Sequence, residues 1–223
     1  TFEAHRVYGL AIPSAITYQH DISFKKAEWV ALEKITEQVD LLQERFKINY
    51  IKIGLIENLN ILDQLLSYLT ASSSPLIIWD PVLKASAGYS FHPRIDEALL
   101  EKICKKIHLI TPNIPEAIQL GPTSDAMDNA KSLSKFCNVL LKGGHAETQK
   151  GKDFLFCTDG NSFSFRNRIK DVSEKHGSGC VLSSAITANL ARKVKLHRAC
   201  LKAKTYTAGF LNSNKTLLGY HKL

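Results

Sequence analysis

The chain has 223 residues, 44% hydrophobic and 22% charged, which suits one globular domain with a sizeable core and excludes disorder and collagen-like structure. No stretch approaches the roughly 18 apolar residues a membrane span needs, because the most apolar run, Leu76 to Trp79, is bounded by serines and Asp80; no membrane partner is expected. The net charge of +8 is regional, since residues 166–204 hold ten Lys or Arg against Asp171 and Glu174, and a nucleic-acid surface, an anionic small-molecule site and a solvated helix face all fit it.

In chain order, Gly9 to Thr17 is a small-residue and β-branched run, expected as a buried strand with its turn. Residues 27–46 place Trp29, Leu32, Ile35, Val39 and Leu42 at helical spacing, which predicts an amphipathic helix. Tyr50 to Ile53 reads as a strand, 58–69 as a helix, Leu76 to Trp79 as a strand, about 94–106 as a helix and Ile107 to Ile110 as a strand. A helix over about 125–136 and a strand at Val139 to Leu141 follow. Residues 152–158 and 162–169 read as two strands joined by an Asp159-Gly160-Asn161 turn, ahead of helices at about 180–192 and 197–212. Short, continuously apolar strands alternating with helices indicate a parallel sheet covered on both faces, hence one open α/β domain over residues 1–223.

Five cysteines without CxxC spacing argue against a disulfide framework or a zinc site, and a reducing cytoplasm is the expected location. Cys104, Cys137, Cys157 and Cys200 read as structural, and nothing after Thr1 reads as a secretory signal.

Chemistry in such a sheet belongs at the carboxyl ends of the strands. Asp80-Pro81-Val82, Thr111-Pro112-Asn113-Ile114-Pro115-Glu116, Lys142-Gly143-Gly144-His145 and His176-Gly177-Ser178-Gly179-Cys180 all fall there. Together they supply parts for phosphoryl transfer: glycine amides at a helix start, a lysine, and oxygen donors of the sort that hold Mg²⁺. Neither a GxxxxGK[ST] loop nor protein-kinase signatures are present, so a different nucleotide fold is implied.

With Tyr18-Gln19 and Lys52-Ile53-Gly54 added, these segments resemble the ribokinase-like superfamily, and most closely the hydroxymethylpyrimidine/phosphomethylpyrimidine kinases of thiamine synthesis. The Cys180 form of the last motif is what separates the pyrimidine kinases from relatives carrying Asp there. The resemblance implies a three-layer αβα fold with a mostly parallel central sheet. It also implies ATP-dependent phosphorylation of 4-amino-5-hydroxymethyl-2-methylpyrimidine and its monophosphate, with Mg²⁺, in a cytoplasmic homodimer. By the same resemblance Cys180 is the base, and Gly177, Ser178 and Gly179 form the anion hole. Lys142 binds phosphate, Asn113 and Glu116 organise Mg²⁺ with Asp80 beside them, Gln19 binds the pyrimidine, and Leu55 and Val82 form its apolar wall. The 152–169 hairpin resembles a flap beside the nucleotide. A lowered thiol pKa is expected for Cys180 at a helix N-terminus near His176, while His145 and His176 read as hydrogen-bonded loop residues.

The sequence departs from the family in three places. The strand and glycine-rich GxDxSGGAG segment that open family members are absent, and the intact later motifs favour reading the sequence as a fragment. Lys175 stands where many relatives have Thr, and Leu55 where many have Met. Two other functions stay open: a pyridoxal kinase of the same superfamily, and a catalytically silent regulatory or nucleic-acid-binding relative. Intact Asn113, Glu116, Lys142 and Cys180 count against the second, so nucleic acid is not the expected partner.

Overall fold

A computed structural model of the chain describes residues 1–83, 95–143, 151–166 and 173–221. A short 3₁₀ turn, Glu3–His5, precedes β1 (Ala15–Gln19) and β2 (Phe24–Trp29), which pair antiparallel in a sheet of their own. This corrects two expectations. The buried strand over 9–17 is instead a strand starting at Ala15, with Ile16, Tyr18 and Gln19 exposed. The long helix loses its first residues to β2, where Phe24, Ala27 and Trp29 are the half-buried positions. Trp29 fits both a helical and a strand pattern, and hydrogen bonding to β1 decides for the strand. Helix α1 then spans Leu32–Gln43 and buries Ile35 and Val39.

From there the alternation holds. The order is β3 (Tyr50–Ile53), α2 (Leu59–Thr70), β4 (Leu76–Trp79), α3 (Glu97–Cys104) and β5 (Leu109–Ile110). Next come α4 (Ile114–Leu120), α5 (Ala126–Leu133), β6 (Asn138–Leu141), β7 (Lys152–Phe156), β8 (Ser162–Arg166), α6 (Ser178–Ala191) and α7 (Leu196–Leu211). The sheet runs β3-β4-β5-β6-β7-β8, its first four strands parallel and the last two antiparallel. The predicted hairpin forms the last two strands of the main sheet, turning at Gly160 with φ 84°. Predicted residues 167–169 lie outside the described residues, as do Gly144 and His145.

Strand pleating divides the core into two layers. Ile77, Trp79, Ile110, Val139 and Leu141 face one cluster, with α1 to α5, while Ile78, Leu109 and Leu140 face the other, with α6 and α7. Helix α2 buries Leu59, Leu62, Leu65, Leu66 and Leu69, each contributing about 1.5–3 kcal/mol. Helix α6, enclosed between the sheet and α7, has no single apolar face and buries every residue from Val181 to Leu190 except Ser184. The result is the three-layer α/β architecture, and it brings the ends of β4, β5 and β6 to the N-terminus of α6. Among the described residues no helix is long and apolar enough to cross a membrane.

Candidate active site

Asp80, the residue after β4, is the hub. It is 2% exposed, and its Oδ1 accepts from Lys142 Nζ at 2.9 Å and from Thr111 Oγ1 at 3.0 Å. Its Oδ2 accepts from Ser183 Oγ of α6 at 3.1 Å. One carboxylate thereby ties β4 to the segments after β5 and β6 and to the α6 helix. Burial pushes the Asp80 carboxyl up, and the charges of Lys142 and Lys52, with the bonds from Lys142 and Thr111, more than offset this, so it lies below its ordinary value. Burial opposes the charge on Lys142 too, but Asp80 and Glu116 hold its ammonium above the ordinary lysine value. The pair is therefore ionised.

Asn113 and Glu116 are one helical turn apart in α4, a helix the sequence reading missed. The Asn113 side chain accepts from the Glu116 N–H at 2.8 Å, and the Glu116 carboxylate accepts from the Asn113 N–H at 2.7 Å. This is a capping box, with Pro115 in the first turn. The NxxE spacing is itself the sequence signal for this start. Asn113→Ala is expected to lower the unfolding free energy by about 1 kcal/mol while Asn113→Asp does not, measured as a shift in denaturant midpoint. Glu116 Oε2 lies 3.7 Å from Lys142 Nζ. Burial raises the Glu116 carboxyl above its ordinary value, with Lys142 and the Asn113 N–H opposing.

Helix α6 meets this cluster end-on. Gly177, its N-cap, has φ 75°, a left-handed conformation that suits glycine, and no side chain caps the first turn. The opening N–H groups of such a helix have no intrahelical acceptor and sit at the positive end of its dipole. A Cβ placed on Gly179 would lie 3.5 Å from Lys142 Nζ and 3.9 Å from Asp80 Oδ2, so the glycine backbone packs against the ion pair. Cys180 is open to solvent on this surface. Its thiol nevertheless lies above its ordinary value of 9.0: the surrounding protein raises it, Lys52 and Lys142 oppose, and Asp80 and Glu116 add to the rise. The expected lowering is therefore corrected, because desolvation by the surrounding protein, with Asp80 and Glu116 adding to it, outweighs the opposing charges of Lys52 and Lys142. The other four cysteines are free as well, with Cys104, Cys137 and Cys200 buried and Cys157 half-buried.

The structure thus gathers Asp80, Asn113, Glu116, Lys142, Gly179 and Cys180. It also adds Lys52, whose Nζ lies over Gly54, 2.7 Å from where a Cβ would stand there, and whose charge reaches Asp80 and Cys180. A lysine inside a four-residue strand otherwise free of charge, paired in register with Ile78, was the available signal. Both Asp80 oxygens accept hydrogen bonds, and through one of them Asp80 anchors Lys142. Val82 and Leu55 are half-buried, Val82 donating its N–H to the Asp80 carbonyl at 2.9 Å and the Leu55 carbonyl accepting from Ser14 Oγ at 2.6 Å. Gln19 ends β1, exposed, and donates to Thr17 Oγ1 at 3.1 Å rather than to any of the clustered side chains. A cavity of about 780 Å³ beside β3 takes in Lys52, Gly54 and Leu55 but none of Asp80, Glu116, Lys142 or Cys180.

A family profile described as phosphomethylpyrimidine kinase matches residues 1–222. The chain is similar to the hydroxymethylpyrimidine/phosphomethylpyrimidine kinase of Aquifex aeolicus, 30% identical over 231 residues, covering 99% of this chain and 89% of the relative. It is 29% identical to the Haemophilus influenzae enzyme of the same description, covering 92% of this chain and 81% of that one. Among solved structures it resembles the Clostridium difficile phosphomethylpyrimidine kinase, with TM-score 0.75, 27% identity, and 92% and 87% of the two chains covered. The fold also matches an ADP complex of Staphylococcus aureus pyridoxal kinase, with TM-score 0.79, 20% identity, and 95% and 80% covered. An end-to-end match of this kind, together with a charge cluster at the strand ends, makes the chain a phosphotransferase belonging to the phosphomethylpyrimidine kinase family.

Proposed function

We propose that the chain phosphorylates 4-amino-5-hydroxymethyl-2-methylpyrimidine with ATP, and then the monophosphate, as one kinase domain spanning residues 1–223. The observation that carries this is the ionised Asp80–Lys142 pair packed against the Gly179 backbone at the open start of α6. A phosphoryl group seated there meets backbone N–H groups and a lysine where its charge develops. In the first of these phosphorylations Cys180 takes the proton from the substrate hydroxymethyl group. The freed oxygen bonds to the γ-phosphorus, and the bond to the ADP oxygen breaks.

Desolvation by the surrounding protein and the charges of Asp80 and Glu116 hold the thiol up, while Lys52 and Lys142 favour the thiolate that accepts the proton. Glu116 fits a hydrated Mg²⁺: it is a half-buried hard oxygen donor beside Lys142 with one oxygen tied to the Asn113 N–H. When bound, Mg²⁺ would neutralise phosphate oxygens, with Glu116 holding it directly or through water. Asp80 would serve that site through Lys142. Gln19, Leu55 and Val82 are assigned to the pyrimidine by family resemblance, and ADP and ATP-analogue complexes of the pyridoxal kinase neighbours support ATP as co-substrate.

The test is an ADP-release assay with saturating Mg²⁺, comparing the pyrimidine alcohol, its monophosphate and pyridoxal. Turnover with both pyrimidines and little with pyridoxal is expected. Pyridoxal as the better substrate would hand the assignment to the pyridoxal kinase reading, which the fold match keeps in play.

A further inference from the structure

We propose that the buried Asp153–Lys204 pair, far from the reacting atoms in sequence, is a positioning device that holds the Lys142-Gly143 segment in its phosphate-binding geometry. The proposal rests on the assignment of Lys142 to phosphate binding made above. Asp153 lies on β7 and Lys204 on α7, and their side chains are 7% and 8% exposed. Lys204 Nζ donates to Asp153 Oδ2 at 2.6 Å, while Asp153 Oδ1 accepts from the Gly143 N–H at 3.0 Å. One carboxylate therefore receives a cation from the outer helix layer on one oxygen and the peptide next to Lys142 on the other.

The segment has little freedom to sit otherwise. Lys142 donates its N–H to the Pro112 carbonyl at 2.8 Å, and Gly143 accepts from the Gly151 N–H at 2.8 Å. A Cβ on Gly143 would stand 1.8 Å from the Lys152 carbonyl oxygen, so only glycine permits this approach to β7. Three hydrogen bonds thus converge on the backbone of two residues, and one of them depends on a buried ion pair. Such a pair is weak evidence for stability, because replacement by apolar residues of similar size is often neutral. A specific orienting role accounts better for an acceptor aimed at a backbone N–H beside a functional lysine. Lys204 also belongs to the basic region that the sequence leaves without an assignment, and its charge is internal.

Two double variants separate position from stability. Asp153→Asn with Lys204→Met removes both charges but keeps an oxygen for the Gly143 N–H. Asp153→Leu with Lys204→Met removes both charges and the acceptor. Melting temperatures within a few degrees of each other are expected for the two, yet the Leu variant should lose about 10–100-fold in kcat and gain KM for ATP, with KM for the alcohol unchanged. The Asn variant should stay within about 3-fold of the parent in both. Equal kinetics in the two, both at the parental level, would overturn the proposal. So would equal losses in two folded variants, since these would trace to the charges and not to the acceptor.

Lys142→Met is measured alongside. Near-parental turnover there overturns the phosphate-binding assignment itself and the proposal with it, whereas a dead Lys142→Met beside a fully active Leu variant overturns the positioning role alone. Should neither double variant fold, the parent protein still decides. Its Gly143 amide should exchange with solvent at least about 100-fold more slowly than an open peptide, and exchange at the open-peptide rate would rule the bond out.

Discussion

Lys142→Met is expected to lower kcat by about 10²–10³-fold and to destabilise the fold by about 3–5 kcal/mol. The two losses share one cause. Asp80 is 2% exposed and Lys142 supplies the bond and charge that hold its carboxyl below the ordinary value. Removing the ammonium leaves a buried carboxylate facing Thr111 and Ser183 hydroxyls, with only the charge of Lys52 to compensate. Adding Asp80→Asn to the variant should recover most of the stability without recovering turnover, because a neutral amide needs no counter-charge while the phosphate still lacks its lysine. Denaturant unfolding and steady-state kinetics on the two proteins read this out; joint recovery of both quantities would show that Lys142 is structural only.

The pH dependence follows with a definite sign. In the parent the folded-state Asp80 carboxyl is held below its ordinary 3.8, so its contribution to stability is present above that value and fades as pH falls through the folded value. In Lys142→Met burial dominates and the carboxyl rises. Stability from this group should then be greatest at acid pH and decline as pH rises through the folded value. Urea midpoints collected from about pH 3 to pH 7 should therefore change slope between parent and variant. Identical slopes would mean that Lys142 does not set the ionisation of Asp80.

The sheet was legible in the sequence because its inner strands are short and unbroken by charge. Leu76 to Trp79 appears in the structure with the same limits, and a run buried on both faces leaves no alternation to misread. The N-terminal region was less legible for the opposite reason: Phe24–Trp29 has two lysines and a glutamate among its six residues, so its hydrogen bonding to β1, which sequence cannot show, had to decide. Within the site, Asp80, Asn113, Glu116, Lys142 and Gly179 could be found because each adjoins a strand end or a helix start. Their mutual use was not visible. That Asp80 serves Lys142 depends on a contact between segments as far apart in sequence as 80 and 142, and that Asn113 and Glu116 cap α4 is a second use of one motif. Ser183 lay hidden on α6, one turn beyond the glycines, where a hydroxyl usually bonds its own helix; it does so here with the Gly179 and Cys180 carbonyls and also reaches Asp80.

Cys180→Ala is expected to cost about 10²–10⁴-fold in turnover, with KM for ATP and for the pyrimidine nearly unchanged. The substitution keeps the backbone amides of Gly177 to Cys180 and the Asp80–Lys142 pair, so binding and phosphoryl stabilisation should survive while proton removal does not. The raised thiol supplies a second, independent signature. Because Cys180 lies above its ordinary 9.0 in the free protein, only a small fraction is thiolate at neutral pH. If that thiolate is the base, kcat/KM should climb with pH, about tenfold per unit below the folded value, since kcat/KM reports ionisation in the free enzyme. In Cys180→Ala the climb should vanish and the residual rate run flat across the same range. The thiol should resist iodoacetamide near pH 7 and react faster as pH rises, with bound pyrimidine slowing the reaction at every pH, because the thiolate is the reactive form. Cys180→Asp should retain part of the activity and move the climb to acid pH, a carboxylate being ionised there. An alanine variant with the parental rate and the parental pH profile would remove Cys180 from proton transfer, and the reaction would then rest on the lysine, the helix amides and positioning alone.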